Sequence, residues 1–236
     1  MRQDPVTHPQ TPESPSELET IAQQVHLPAG VAGPTEISFD VRCFLLPVAD
    51  GIVVIDTGMG DNATDIHQAL ERLGAGWADI SDVVITHAHA DHVGGLKEIL
   101  SKAGNALVWA GEADAGAVAS GISSGTASSE VQVRAAVDGA SLRGLRIIHT
   151  PGHTQGHISL LHEGEGLLFT GDAVGTMNGV MVRPPAPFTA DPVEAELSLR
   201  KIARLSPRRM LFSHGAEIPD ALSQLRELIE RSAPQQ

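Results

Sequence analysis

The run "VVITHAHADHVGG", Val83 to Gly95, constrains this chain more than any other stretch. β-Branched residues lead straight into His87, His89, Asp91 and His92, four metal-ligating side chains within six positions. Crowding imidazoles and a carboxylate costs desolvation and repulsion unless a cation joins them. If the chain leaves a strand in extended form, His87 and His89 project to one side by the period of two. Asp91 and His92 follow where the chain turns into a helix, and so face a second point nearby. Gly94 and Gly95 allow backbone to approach the site closely. Any fold of this chain has to bring further ligands to this corner.

Three more candidates each follow a strand-like run: His153 in "HTPGHTQGH", Asp172 in "LLFTGDAV" and His214 in "MLFSHG". Strand-end loops are where a rigid scaffold positions reactive groups. Taken singly, each is more readily a turn cap or a solvated side chain. Beside the His87–His92 cluster they become candidate partners. "GISSG", Gly121 to Gly125, fits a G-x-S-x-G nucleophile pattern but lacks the strand and helix that pattern needs, so it reads as a coincidence.

The rest of the chain predicts sheets covered by helices. The lead-in 1–17 is rich in proline, serine and glutamine and reads as flexible, with a single domain from 18 to 236. Ordered patterning begins at about Glu36. Two strand-like runs meet at the hairpin signal Ala49-Asp50-Gly51. An amphipathic helix follows, with Ile66, Ala69, Leu70 and Leu73 on one face and a stop at Gly74. A buried strand, a short helix and another strand come next. The alanine-, glycine- and serine-rich stretch from Glu112 to Gly139 predicts a weak helix and then a loop. Three strands between Leu145 and Val174 turn at Glu163–Gly166. Asp191 and Pro192 open a helix as N-cap and first residue. A last strand and a terminal helix close the chain, which reads as two similar halves without a sequence repeat.

The net charge of −13 argues against nucleic acid as a partner, because phosphate neutralisation needs a basic face. No apolar run is long enough to span a membrane. The only cysteine is Cys43, and the N-terminus lacks the apolar core of a secretory signal, so the cytoplasm is the expected compartment. A small-molecule substrate is therefore expected, and a homodimer is left open.

"THAHADHVGG" resembles the HxHxDH signature of the metallo-β-lactamase-fold hydrolases. "IDTG", "PGHT", "FTGD" and "SHG" follow that family's order, from about Glu36 to Gly215. The resemblance implies a four-layer αββα sandwich of two mixed sheets between helices. It implies that His87, His89 and His153 hold one divalent ion, that Asp91, His92 and His214 hold another, and that Asp172 bridges them. Asp56 would orient a ligand histidine from behind. Zinc is the expected cation, with iron or manganese next. Two such ions about 3.5–4 Å apart acidify a water that attacks a carbonyl carbon. Asp91 would orient that water and take its proton.

Among the branches, the set looks like that of glyoxalase II and related thioesterases and lactonases. His92 and the lack of a late cysteine depart from class B1 β-lactamases, and Asp172 departs from class B3. The chain ends 22 residues past His214, so the helical glutathione-binding domain of glyoxalase II is expected to be absent. It has no tyrosine, the residue that lactonases of this fold place near the metals. The alternative is a persulfide dioxygenase-like oxidoreductase with one iron held by two histidines and an aspartate. Substrate contacts are expected from Met59 and from the stretch Gly175 to Phe188, with Met177, Met181 and Phe188 as an apolar wall and Arg183 for an anionic group.

Overall fold

The computed structural model describes residues 18–30, 34–123 and 131–231. The lead-in 1–17 and the loop expected after residue 123 lie outside the described residues, apart from the strand that returns at 133.

The first sheet has six strands in chain order: β1 (Glu19–Leu27), β2 (Ile37–Val48), β3 (Gly51–Ile55), β4 (Ile80–Ile85), β5 (Leu107–Gly111) and β6 (Val133–Ala136). β1, β2 and β3 form an antiparallel meander, with the expected turn at residues 49–50. From β3 to β6 the pairing is parallel. Parallel neighbours need crossovers, supplied by α1 (Ala63–Arg72), the short α2 (Ala90–Val93) with α3 (Leu96–Lys102), and α4 (Glu112–Ser123).

The second sheet contains β7 (Ser141–Leu142), β8 (Leu145–His149), β9 (Ile158–His162) and β10 (Leu167–Phe169). A separate hairpin of β11 (Gly175–Met177) and β12 (Val180–Val182) follows. After α5 (Pro192–Leu205), β13 (Arg209–Leu211) joins β10 in parallel, giving the order β13-β10-β9-β8-β7. The chain closes with α6 (Ala221–Arg231). Asp191 caps α5 as expected, accepting from the Val193 and Glu194 amides.

The strand period of two sorts side chains into layers. Phe44 and Leu46 of β2, Val53 and Ile55 of β3, Leu160 of β9 and Phe169 of β10 fill the space between the sheets. Their neighbours Cys43, Leu45, Ile52 and Val54 pack outward with Ile66 and Leu70 of α1 and Ile99 of α3. On the other side Leu161, Leu168 and Met210 pack outward with Leu199 of α5 and Leu225 of α6. Both strand faces are buried, so the strands read as continuous apolar runs. The result is the expected αββα sandwich. Truncating a middle-layer aromatic such as Phe169 to alanine costs about 3–5 kcal/mol.

Two elements differ from the sequence reading. β1 lies ahead of the expected start because "ETIAQQVHL" is an edge strand, with only Ile21 and Val25 buried. The stretch from Gly175 is a hairpin rather than a loop. Asn178 and Gly179, both at positive φ, form its two-residue turn.

Candidate metal centre

The topology brings five strand ends together. β8 and β10 are each antiparallel to β9, and β10 is parallel to β13, so all three run in one sense. Past their C-terminal ends come His153, Asp172 and His214. Asp56 and the His87–His92 corner follow the parallel strands β3 and β4 of the other sheet. Backbone bonds join the two sheets here: the Ile158 amide to the Thr86 carbonyl at 2.9 Å and the Arg42 amide to the Ser213 carbonyl at 2.8 Å.

The first group is made of imidazoles alone. The rings of His87, His89 and His153 stand with every pair of centroids 4.7 Å apart and nearly perpendicular. His89 Nδ1 lies 3.1 Å from His87 Nε2 and 2.9 Å from His153 Nε2. A tetrahedral ion with ligand bonds of about 2.0–2.1 Å would separate its donors by about 3.3 Å, so this spacing fits a cation.

The second group is Asp91, His92 and His214. Asp91 Oδ2 lies 3.7 Å from His92 Nε2 and 3.4 Å from His214 Nε2. Asp172 stands between the groups. Its Oδ2 is 3.4 Å from His153 Nε2 and 3.1 Å from His214 Nε2, and its Oδ1 is 3.4 Å from His92 Nε2. His92 Nε2 and Asp172 Oδ1 are both buried, and neither makes a hydrogen bond. Orphaned buried polar atoms are costly, and a shared cation would satisfy both. The seven residues therefore suit cation binding by donor type, spacing and unmet bonding.

The second group is anchored through its rings. His92 Nδ1 bonds Asp56 Oδ2 at 2.8 Å, and His214 Nδ1 donates to the Asp40 carbonyl at 2.7 Å. Asp56 is fully buried and also accepts from the Thr86 amide and hydroxyl, both at 2.8 Å. Its φ of 57° is unusual for a residue with a side chain, and these bonds hold it there. Gly94 and Gly95 allow the close backbone approach expected of them. A side chain at Gly94 would strike the Met59 carbonyl, and one at Gly95 the Thr57 carbonyl. The loop after β3 is thus pressed onto the His92 turn, where the Thr57 amide and hydroxyl both donate to the His92 carbonyl at 2.8 Å.

Residues 39–214 match the model of the Metallo-beta-lactamase superfamily. The chain belongs to this superfamily. It is 31% identical over 222 residues to the probable metallo-hydrolase YflN of Bacillus subtilis, covering 79% of this chain and 84% of that one. It is 27% identical to the hydroxyacylglutathione hydrolase of Aeromonas hydrophila, covering 68% of this chain and 55% of that one. Among solved structures, TTHA1623 in a di-iron-bound form is similar, with a TM-score of 0.60 and 26% identity over 90% of this chain and 98% of that one.

Within this metallo-β-lactamase site the electrostatics split by group. His87 is held well below the ordinary histidine range, by burial first and then by His92. Burial also pushes His153 down to about 4. In the second group burial works the same way, but the Asp172 and Asp56 carboxylates outweigh it and hold His92 well above that range. Asp172 likewise raises His214. Burial favours a neutral Asp172, yet His92 and His214 hold it well below the carboxylate range. His87 and His153 thus present free imidazole lone pairs at neutral pH.

The expected substrate contacts divide. Met59, Met177 and Phe188 are exposed. Met177 belongs to β11, whose Thr176 amide bonds the His214 carbonyl. Phe188 precedes Ala190, whose amide bonds the His153 carbonyl. Met181 and Arg183 correct the expectation. Met181 is 3% exposed, in the core with α5 and α6. It pairs with Thr176 across the hairpin, which turns it inward. Arg183 forms an ion pair with Glu196 and donates to the Leu228 carbonyl at 2.9 Å, so its guanidinium is engaged away from the site.

Three supporting residues escaped the sequence reading in whole or part. Asp40 carries the His214 ring. His157, four residues past His153, accepts from the Asp172 amide at 2.9 Å and bonds Thr150 Oγ1 at 2.8 Å. Burial lowers it to about 3, so it stays a neutral acceptor. The third is Asp114, a buried acid at the start of α4. Only the adjacency of His157 to "PGH" could have flagged any of them.

Proposed function

We propose that this chain is a binuclear metal-dependent hydrolase that cleaves the ester, thioester or lactone carbonyl of a small molecule. The observation that carries the reading is the second group: a carboxylate and two imidazoles beside the three-histidine group, with Asp172 shared between them. His87, His89 and His153 would hold one divalent ion, Asp91, His92 and His214 the other, and Asp172 would contact both. Zinc is the first candidate, and the di-iron form of TTHA1623 makes iron the second. The ions supply Lewis acidity and make water a nucleophile near neutral pH. The chain supplies the rest. Asp91 lies at the more open side of the site, where its carboxylate orients the attacking water and accepts its proton. Asp56, Asp40 and His157 keep the rings and Asp172 from turning away.

An uncharged substrate portion nearest the site is favoured, since Arg42, which donates to the Gly215 carbonyl beside His214, is already paired with Asp40. Segments 56–62, 86–95, 150–157, 170–178, 185–191 and 212–216 contain no lysine or arginine. Met59, Met177 and Phe188 offer apolar contact instead. The name of YflN supports hydrolysis, and that of the Aeromonas relative supports a thioester among the substrates tried.

The test is a panel of neutral and carboxylate-bearing esters, thioesters and lactones offered to protein purified without chelator. Hydrolysis of neutral members, lost on chelation and restored by zinc or iron, is the expected result. No turnover by the panel, with oxygen uptake on a persulfide by a one-iron protein, would replace hydrolysis with oxidation.

A further inference from the structure

We propose that Asp114 is a positioning residue that locks together the two loops carrying the three-histidine group and so sets the cation affinity of that group alone. This rests on the two-cation reading above.

Asp114 is only 6% exposed. Such a buried acid needs partners, and no lysine or arginine is bonded to it among the described residues. Its partners are instead three donors from two loops. Oδ2 accepts from the Ala88 amide at 3.0 Å and from Thr154 Oγ1 at 2.6 Å, and Oδ1 accepts from the Gly156 amide at 2.8 Å. Ala88 sits between His87 and His89, and Thr154 directly follows His153. One carboxylate therefore ties the loop after β4, in the first sheet, to the loop after β8, in the second. The fit is close. A side chain at Gly156 would strike the Asp114 backbone and carboxylate, and one at Gly111 would strike the Gly156 carbonyl.

The three ring nitrogens come from opposite sheets, so their convergence depends on how those loops sit against each other. A ligand set must be held to within about 0.5 Å to work. Asp114 has no bond to the second group, whose rings Asp56 and Asp40 hold directly, although Asp56 also accepts from the Thr86 hydroxyl that lies 3.1 Å from His87 Nδ1.

The experiment is a zinc titration against a chromophoric competitor on the full chain. Asp114→Ala is made in the native chain, in a His214→Ala background that leaves the first group intact, and in a His89→Ala background that leaves the second. Asp114→Ala should weaken zinc by about 10–100-fold in the His214→Ala background, the usual loss when such a support goes. It should change little in the His89→Ala background. Asp114→Asn, which keeps an acceptor oxygen, should fall between. Equal weakening in both backgrounds, or none in either, overturns the inference and leaves the two-cation reading standing. A single bound ion that Asp114→Ala weakens keeps the inference and overturns that reading, while no bound ion overturns both. Should Asp114→Ala fail to fold by circular dichroism, Thr154→Val removes one of the three bonds. It should weaken the same group several-fold, and unchanged affinity there overturns the inference.

Discussion

The two groups of ligands meet at Asp172 but are built on different plans. The first is three imidazoles from two sheets, mostly buried, with support on the neighbouring backbone through Asp114 and on one ring only, where Thr86 Oγ1 lies 3.1 Å from His87 Nδ1. The second mixes a carboxylate with two imidazoles, is more open at His214 and Asp91, and takes its support on the ring nitrogens. Burial dominates the first and lowers His87 and His153. Carboxylates dominate the second and raise His92 and His214. The difference teaches a division of labour. On the proposed function, the first group would seat a cation and the second would pair a cation with a base at the open face.

The largest effect should come from the open face. Asp91→Asn keeps shape and removes the base, so kcat on the best ester should fall about 10²–10⁴-fold with the fold intact by circular dichroism. An unchanged kcat would break the division. Asp56→Ala strikes the second group from behind, leaving His92 Nδ1 and the Thr86 amide without their acceptor. Urea denaturation should show a loss of about 3–5 kcal/mol, typical of a broken buried pair. A loss below 1 kcal/mol would contradict the role given to that network.

Acid should undo the metal-free chain through buried neutral histidines. His157, at about 3, lies below the unfolded value of about 6.5. The unfolded chain therefore binds the extra proton first, and stability falls as pH drops from about 6.5 toward 3. Urea midpoints of chelated protein should decline through that window, and His157→Gln should flatten the decline. A midpoint independent of pH there would count against a neutral buried His157.

The smallest effect concerns the rim that both groups share. Met177→Ala and Phe188→Ala should each raise KM a few-fold on a neutral ester, a loss of about 1 kcal/mol, with kcat little changed. Arg183→Ala should leave KM alone, since its partners are Glu196 and Leu228.

Much of this was legible in the chain. The His87–His92 corner announces itself because four ligands lie within six residues and no apolar core would keep them. His153, Asp172 and His214 became legible only in company, each following a strand, and their convergence depends on pairings among β8, β9, β10 and β13 that no local pattern specifies. The supports were not legible. Asp114 in "GEADAG" looks like any acid in the first turn of a helix. The Asp40 contribution to His214 is a backbone carbonyl, which leaves no mark on sequence. The Asn178-Gly179 turn was written plainly in "MNGV" but was masked by the proline-rich segment that follows. β1 was missed because an edge strand buries few of its side chains.

The most direct test of the two-group account is the number of metal ions bound per chain, measured by elemental analysis of the native chain and of His89→Ala and His214→Ala. Two ions in the native chain and one in each variant are predicted. One ion in the native chain, abolished by His89→Ala and untouched by His214→Ala, would contradict it.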